Sequence, residues 1–133
     1  MKASGVNALR DAIMAAPEPI TLVPTGSYTN IALLFSEYPE VKQNIERIVA
    51  MGGSLGKGNM TSAAEFNVFT DPHAAKIMYE SGVPIVMVGL DITMKALLTH
   101  ESIEKLPTLN ETGKMLHDII IHDGDNSDAG IAM

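Results

Sequence analysis

The stretch that decides how this chain reads is Ile48-Val49-Ala50-Met51-Gly52-Gly53-Ser54-Leu55-Gly56-Lys57-Gly58-Asn59, followed by Met60-Thr61-Ser62-Ala63-Ala64-Glu65-Phe66-Asn67-Val68-Phe69-Thr70-Asp71. Ile48 to Met51 is a short apolar run of the kind a buried strand carries. Four glycines, Gly52, Gly53, Gly56 and Gly58, then fall within seven residues. Glycines at a strand end let the backbone take positive φ and approach a ligand closely. Asn59, Glu65 and Asn67 follow, interleaved with Ala63, Ala64, Phe66 and Val68. In an extended segment Glu65 and Asn67 project to one side and Phe66 to the other. Two amides and a carboxylate offer the donors and acceptors that neighbouring sugar hydroxyls need. The plainer reading of Glu65 and Asn67 is the solvent face of an edge strand.

Working outward, the flanks alternate strand and helix. Val6, Leu9, Ile13 and Met14 stand at helical spacing between Ser4 and Ala16, and Pro17 and Pro19 close that helix. Ile20-Thr21-Leu22-Val23-Pro24 is a β-branched run, hence a strand, and Thr25-Gly26-Ser27-Tyr28 is the turn at its carboxyl end. Thr29 or Asn30 is the expected N-cap of a helix through Phe35 that closes before Pro39. Glu40 to Ile45 reads as a second helical piece leading into the strand Arg47–Met51. Asp71-Pro72 opens a further helix as N-cap and first helical residue, and Gly82 ends it. Val83-Pro84-Ile85-Val86-Met87-Val88-Gly89 is nearly all apolar, the pattern of a parallel strand covered on both faces. Asp91 sits at its carboxyl end with no role assigned. Helical segments follow around Ile103–Leu106 and Thr112–Ile121, and Asp123 to Asp128 reads as a polar loop. Strands alternating with helices imply βαβ units and a parallel sheet. Such sheets bind ligands at the carboxyl ends of their strands, where Thr25, the glycine stretch and Asp91 fall.

Composition excludes several classes. The 133 residues, 46% hydrophobic and 19% charged, make an ordinary globular domain. A net charge of −7 argues against a nucleic-acid backbone as partner. No apolar run approaches the ~20 residues of a membrane span. With no cysteine there is no disulfide, thiolate metal site or cysteine nucleophile, which fits a cytoplasmic protein. The nine methionines read as core filler. Gly52 to Gly58 has neither the phosphate-loop spacing nor, with Thr61 where a third glycine would stand, a dinucleotide fingerprint. Asp123, Asp125 and Ser127 imitate the start of a calcium loop, but Asp128 occupies its glycine position. His73, His100, His117 and His122 form no metal-ligand pattern.

Met51-Gly52-Gly53, Gly58-Asn59-Met60-Thr61, Ala64-Glu65-Phe66-Asn67 and Asp71-Pro72-His73-Ala74-Ala75 together resemble the inosine-uridine-preferring nucleoside hydrolase family. Val23 to Ala32 upstream and Gly89-Leu90-Asp91-Ile92-Thr93 downstream extend the likeness from about Pro19 to Thr99. Leu106 to His117 is similar to the bacterial branch that accepts purine and pyrimidine ribonucleosides alike. The resemblance implies a Rossmann-like α/β fold, with a mostly parallel sheet flanked by helices and residues 1–133 as one domain from the middle of a longer protein. It implies hydrolysis of the N-glycosidic bond of ribonucleosides, in purine and pyrimidine salvage. Asn59, Glu65 and Asn67 would bind the ribose hydroxyls, with Met51 beside them. The Thr25 main-chain carbonyl would be one ligand of a calcium ion. The family's aspartate-rich strand end and its His-Asp pair have no counterpart here, so no catalytic residue is assigned, and this chain alone is not expected to hold calcium or turn over substrate well. In the family the partners are the ribonucleoside and further copies, as a dimer or tetramer, with no nucleic acid and no membrane. Two other readings stand beside this one. One is a non-catalytic module that binds nucleoside or ribose; the other is a subunit completed by a partner chain.

Overall fold

The computed structural model describes residues 5–124 and 131–132. Their contacts fall into two compact units, Met1–Asp91 and Ile92–Met133.

The first unit is built on a three-stranded parallel sheet in the order β1-β2-β3: Ile20–Leu22, Ile45–Met51 and Ile85–Val88. Leu22 pairs with Ile48, and Ile48 pairs in turn with Ile85. Helix α2 (Thr29–Glu37) packs against both α1 (Gly5–Ala15) and α4 (Pro72–Tyr79), and a 3₁₀ turn over Pro39–Asn44 precedes β2. Their inward residues share one core with the sheet, in which Tyr28, Ile13, Leu34, Ile48, Met78 and Val41 are fully buried. Strand alternation explains the choice of face: Ile48 and Ala50 point into this core while Val49, between them, does not.

The sequence predicts a third strand covered on both faces, and the structure corrects this. Val86, paired with Val49, is 51% exposed. An apolar run reports that a residue type suits burial, not that a helix lies over it. The N-cap expected at Thr29 or Asn30 is also corrected. The helix already includes Thr29, and Tyr28 stands at the cap position without a side-chain cap bond. The Thr29 hydroxyl is turned to Asp71, donating to Oδ2 at 2.6 Å. Asp71 itself caps α4 as expected, its Oδ1 accepting from the Ala74 N–H at 2.9 Å, with Pro72 filling a position that needs no donor.

In the second unit Thr99 caps α6 (His100–Lys105), and Asn110 Oδ1 accepts from Gly113 N–H in the first turn of α7 (Glu111–Gly124). In chain order, two short helices remain, α3 (Phe66–Thr70) and α5 (Leu90–Thr93). Leu97–Leu98 (β4) pairs antiparallel with Ile131–Ala132 (β5), a two-residue ladder too short to leave a sequence pattern. Helix α7 takes in Asp123, the first residue of the expected polar loop; residues 125–128 of that loop lie outside the described residues.

Asp71 joins the start of α2 to the start of α4, and its carboxyl is held below the usual carboxylate range, first by Thr29 and then by the Ala74 N–H. A carboxyl with a lowered pKa in the fold adds stability that is present above its ordinary pKa of ~4 and lost as pH falls through the lowered value. Asp71→Asn is therefore expected to lower the melting temperature at pH 7, with the gap to the native chain closing below about pH 4. Thermal melts from pH 2 to 7 check this, and a gap of constant size across that range contradicts it.

Candidate functional site

The site begins where β2 runs out. Met51 N–H donates to Pro24 O at 3.0 Å, so Met51 faces the β1 side. A strand residue points its carbonyl to the same side as its N–H, and β1 has no further residue to pair with it. A backbone carbonyl without a partner is costly, so side chains must supply the donors. Two do. Tyr28 Oη donates to Met51 O at 2.9 Å, and Asn67 Nδ2 donates to the same oxygen at 3.2 Å.

Past Met51 the chain turns through Gly52 and Gly53, at φ +150° and +73°. Both conformations favour glycine, and at Gly52 the space does too: a Cβ there would collide with the Tyr28 hydroxyl. Gly52 N–H donates to Val88 O at 3.1 Å and Leu90 N–H to Gly53 O at 2.8 Å, so the turn is stitched to the end of β3. Asp91, unassigned from sequence, accepts from the Leu55 N–H through Oδ1 at 3.2 Å and holds the start of the glycine loop. Beyond it, Ala64 O collects the N–H groups of Asn59, Met60 and Thr61, which folds the loop into a compact turn.

Glu65 and Asn67 do not lie in an extended segment, which corrects both the projecting-strand and the edge-strand readings. Glu65 has extended φ and ψ but caps α3, and Asn67 lies in its first turn. Both are buried, at 3% and 8% exposure, while Phe66 between them is 53% exposed. Glu65 Oε1 accepts from Asn67 N–H at 2.9 Å, and Oε2 from Val68 N–H at 3.3 Å. Oε2 also accepts from Gly53 N–H at 2.8 Å. One carboxylate thus caps a helix and clamps the glycine turn, on the side where a helix N-terminus favours negative charge.

Asn67 Nδ2 lies 3.2 Å from Met51 O, 2.9 Å from Met51 Sδ and 3.5 Å from Thr25 O. These are acceptors, so the nitrogen must face them, and Oδ1 is left over. Among the described residues no buried side-chain polar atom lacks a partner, so Oδ1, which makes no hydrogen bond there, reaches solvent. Asn59 is exposed, and its Oδ1 accepts from Phe66 N–H at 2.9 Å. Thr25, Met51, Asn59, Glu65 and Asn67, the residues singled out from sequence, thereby fall on one small patch.

Sequence reasoning missed Tyr28, which is fully buried and hydrogen-bonded to Met51 across 23 positions. Burial, then the nearby Tyr79 and Glu65, push its hydroxyl well above the usual tyrosine value, so it stays a donor. The ring of Tyr79 meets it edge-on with centroids 6.4 Å apart. The turn sequence Gly26-Ser27-Tyr28-Thr29 carried no signal for this, because the acceptor is distant in the chain.

Neither Glu65 nor Asn67 lines either of two concavities found among the described residues. One, of about 360 Å³, lies beside β1 and is lined by Leu22, Val23, Pro24, Thr25, Gly26 and Asn30 among others. The other, about 500 Å³, runs along α7 between Glu111 and His122. No group of three or more His, Cys, Asp or Glu side chains suited to a metal ion occurs among the described residues.

Comparison with known proteins matches this geometry to a family. Residues 1–130 match the model described as inosine-uridine preferring nucleoside hydrolase. The chain is 57% identical over 115 residues to the non-specific ribonucleoside hydrolase RihC of Escherichia coli strain SMS-3-5, covering 86% of this chain and 38% of that protein. Against RihC of Salmonella newport the identity is 56% over 115 residues, with the same coverage of 86% and 38%. Among solved structures, the purine-preferring ribonucleoside hydrolase from Gardnerella vaginalis superposes with a TM-score of 0.87 at 34% identity, over 98% of this chain and 44% of that one. A plant nucleoside hydrolase superposes with a TM-score of 0.88 at 27% identity, over 99% and 44%. The chain therefore spans 38% to 44% of the length of these relatives.

The Glu65 clamp generates a prediction. A hydrogen bond to a charged acceptor contributes ~1.5–3 kcal/mol. Glu65→Gln, which puts an NH₂ group among three N–H donors, should lower unfolding stability by about 2 kcal/mol. Hydrogen exchange should quicken at the Gly53, Asn67 and Val68 amides above all. Unchanged protection at those three amides would contradict the clamp.

Proposed function

Because the chain belongs to the inosine-uridine preferring nucleoside hydrolase family, we propose that it supplies the sugar-binding wall of a ribonucleoside hydrolase acting on purine and pyrimidine nucleosides. The observation that carries this reading is the single network joining Met51, Glu65 and Asn67 at the end of β2, with Thr25 and Asn59 at its margins. Hydrolysis of a glycosidic bond passes through a transition state with oxocarbenium character on the sugar. Asn67 Oδ1 accepts from one sugar hydroxyl, and Asn59, whose NH₂ group makes no hydrogen bond among the described residues, donates to another. The Glu65 carboxylate, fixed by backbone N–H groups before substrate arrives, favours the positive charge that grows on the ribose. Such groups assist reaction only so far as they bind the charged sugar more tightly than the neutral one. Met51 contributes its carbonyl and thioether to the floor beneath Asn67.

Calcium does not fit the described residues. A hard cation takes six to eight oxygen ligands, including carboxylates. Here one main-chain carbonyl, that of Thr25, faces the Asn67 NH₂ group at 3.5 Å, and no carboxylate cluster stands among the described residues. A calcium site would need donors from outside them, and so would the water-activating base. A second reading follows from that same shortage of carboxylates: a chain that binds ribose without turnover, or one completed by a partner carrying the missing groups. The reading extends to a role in nucleoside salvage, assembly as a homo-oligomer and a cytoplasmic location. Two facts accord with the last: cysteine is absent from the sequence, and among the described residues no helix is long and apolar enough to cross a membrane.

Calorimetric titration with inosine, uridine and cytidine, together with release of ribose in the presence of calcium, tests the proposal. Saturable binding is expected, weakened about tenfold by Asn67→Ala, the equivalent of one hydrogen bond at ~1.4 kcal/mol. Turnover should be far below that of a complete hydrolase. A folded chain that binds none of the three nucleosides would overturn the sugar-binding reading. Turnover at the rate of a complete hydrolase would overturn the account of the missing groups.

A further inference from the structure

Resting on the sugar-binding reading above, we propose that Tyr28 is a positioning residue: it holds the Met51 carbonyl in the place from which that carbonyl orients the Asn67 amide toward the sugar. The two side chains meet at the Met51 carbonyl. It has two lone pairs and two donors, the Tyr28 hydroxyl at 2.9 Å and Asn67 Nδ2 at 3.2 Å. With Tyr28 donating, the carbonyl is pinned against the ring on one side, and the second lone pair is the only one open to Asn67. Held there, the carbonyl joins Met51 Sδ and Thr25 O in drawing the amide nitrogen inward, which leaves the oxygen outward. Reversing it would set Oδ1 against Met51 O, Met51 Sδ and Thr25 O, three acceptors within 3.5 Å of the present nitrogen.

Tyr28 is itself immobile. It is fully buried, its ring meets Tyr79 edge-on, and Gly52 leaves room for its hydroxyl where any side chain would collide. A buried tyrosine needs a partner for its hydroxyl, and a strand-end carbonyl needs a donor; each satisfies the other. Phenylalanine would fill the core equally well, so packing does not account for the hydroxyl. Its effect reaches the sugar through Asn67: an outward-facing Oδ1 can accept but not donate, so the wall discriminates in favour of a sugar that carries a hydroxyl donor at that point. A site built on such a bond disfavours the analogue lacking the hydroxyl, because the bound sugar then covers Oδ1 without giving it a donor.

The test compares the native chain with Tyr28→Phe by two measurements. In the ligand-free chain, nitrogen-edited NMR follows the Asn67 side-chain NH₂ signals and their exchange with solvent. In the second, affinities for inosine, 2′-deoxyinosine and 3′-deoxyinosine are compared. Tyr28→Phe is expected to fold, to shift the Asn67 NH₂ signals and speed their exchange, and to shrink the preference for inosine over the disfavoured deoxy analogue about tenfold, the equivalent of ~1.4 kcal/mol. A variant with unchanged Asn67 NH₂ signals overturns the proposal whatever the ligands do. Equal weakening toward all three nucleosides, with the preference intact, overturns it too, since that is what a merely structural role produces. If the native chain is folded and binds no nucleoside while the Asn67 signals respond to the substitution, the sugar-binding reading falls and the link from Tyr28 to Asn67 stands.

Discussion

Everything at this site depends on one carbonyl at the end of the central strand. Parallel strands stop at different heights, and where β1 ends before β2 the last carbonyl of β2 loses its ladder partner. The chain answers with two side-chain donors, Tyr28 and Asn67, from separate elements brought over it. To reach that carbonyl, Asn67 must sit in the first turn of a helix, and that helix needs its own N-terminus satisfied. Glu65 does so, and its second oxygen holds the glycine turn that makes room for the hydroxyl of Tyr28. Solving a backbone hydrogen-bonding problem thus places an amide and a carboxylate side by side at the carboxyl edge of a parallel sheet, where such folds bind ligands.

The two acidic residues nearby do different work. Asp71 fastens the starts of two helices to each other, and Asp91 restrains the loop leaving the glycine turn. Neither belongs to the network around Asn67. Removing either side chain should disturb the frame more than the outward atoms of Asn59 and Asn67. The distinction matters in a protein with a net charge of −7, where acidic residues are plentiful and few of them can be functional.

The parallel sheet was legible from sequence because its strands are short apolar runs ending in glycine or proline, and because the intervening helices have plain stops. Asp71-Pro72 announced its helix correctly for a physical reason, a side-chain acceptor followed by a residue with no N–H to satisfy. Glu65 did not announce its helix, because glutamate is not among the preferred N-cap residues and its longer side chain must fold back to reach the N–H groups. Alternation of polar and apolar residues from Ala64 to Val68 imitated a strand, and only burial of the polar members tells the two apart. The candidate residues themselves were legible through their motif, whereas Tyr28 was not: its partner lies on another element, and nothing local in a turn sequence records a contact of that kind. The exposed face of β3 escaped for the opposite reason, since apolar residues read as covered whether or not anything covers them.

The central claim is that the outward atoms of Asn59 and Asn67 are set to receive a sugar. The most direct measurement is nitrogen-edited NMR of the side-chain amides of the purified chain, titrated with ribose. The account predicts saturable movement of the Asn59 and Asn67 signals at one common affinity, with Asn7, Asn44 and Asn110 unmoved. A folded chain in which Asn59 and Asn67 stay still, or in which all five move alike, would contradict it.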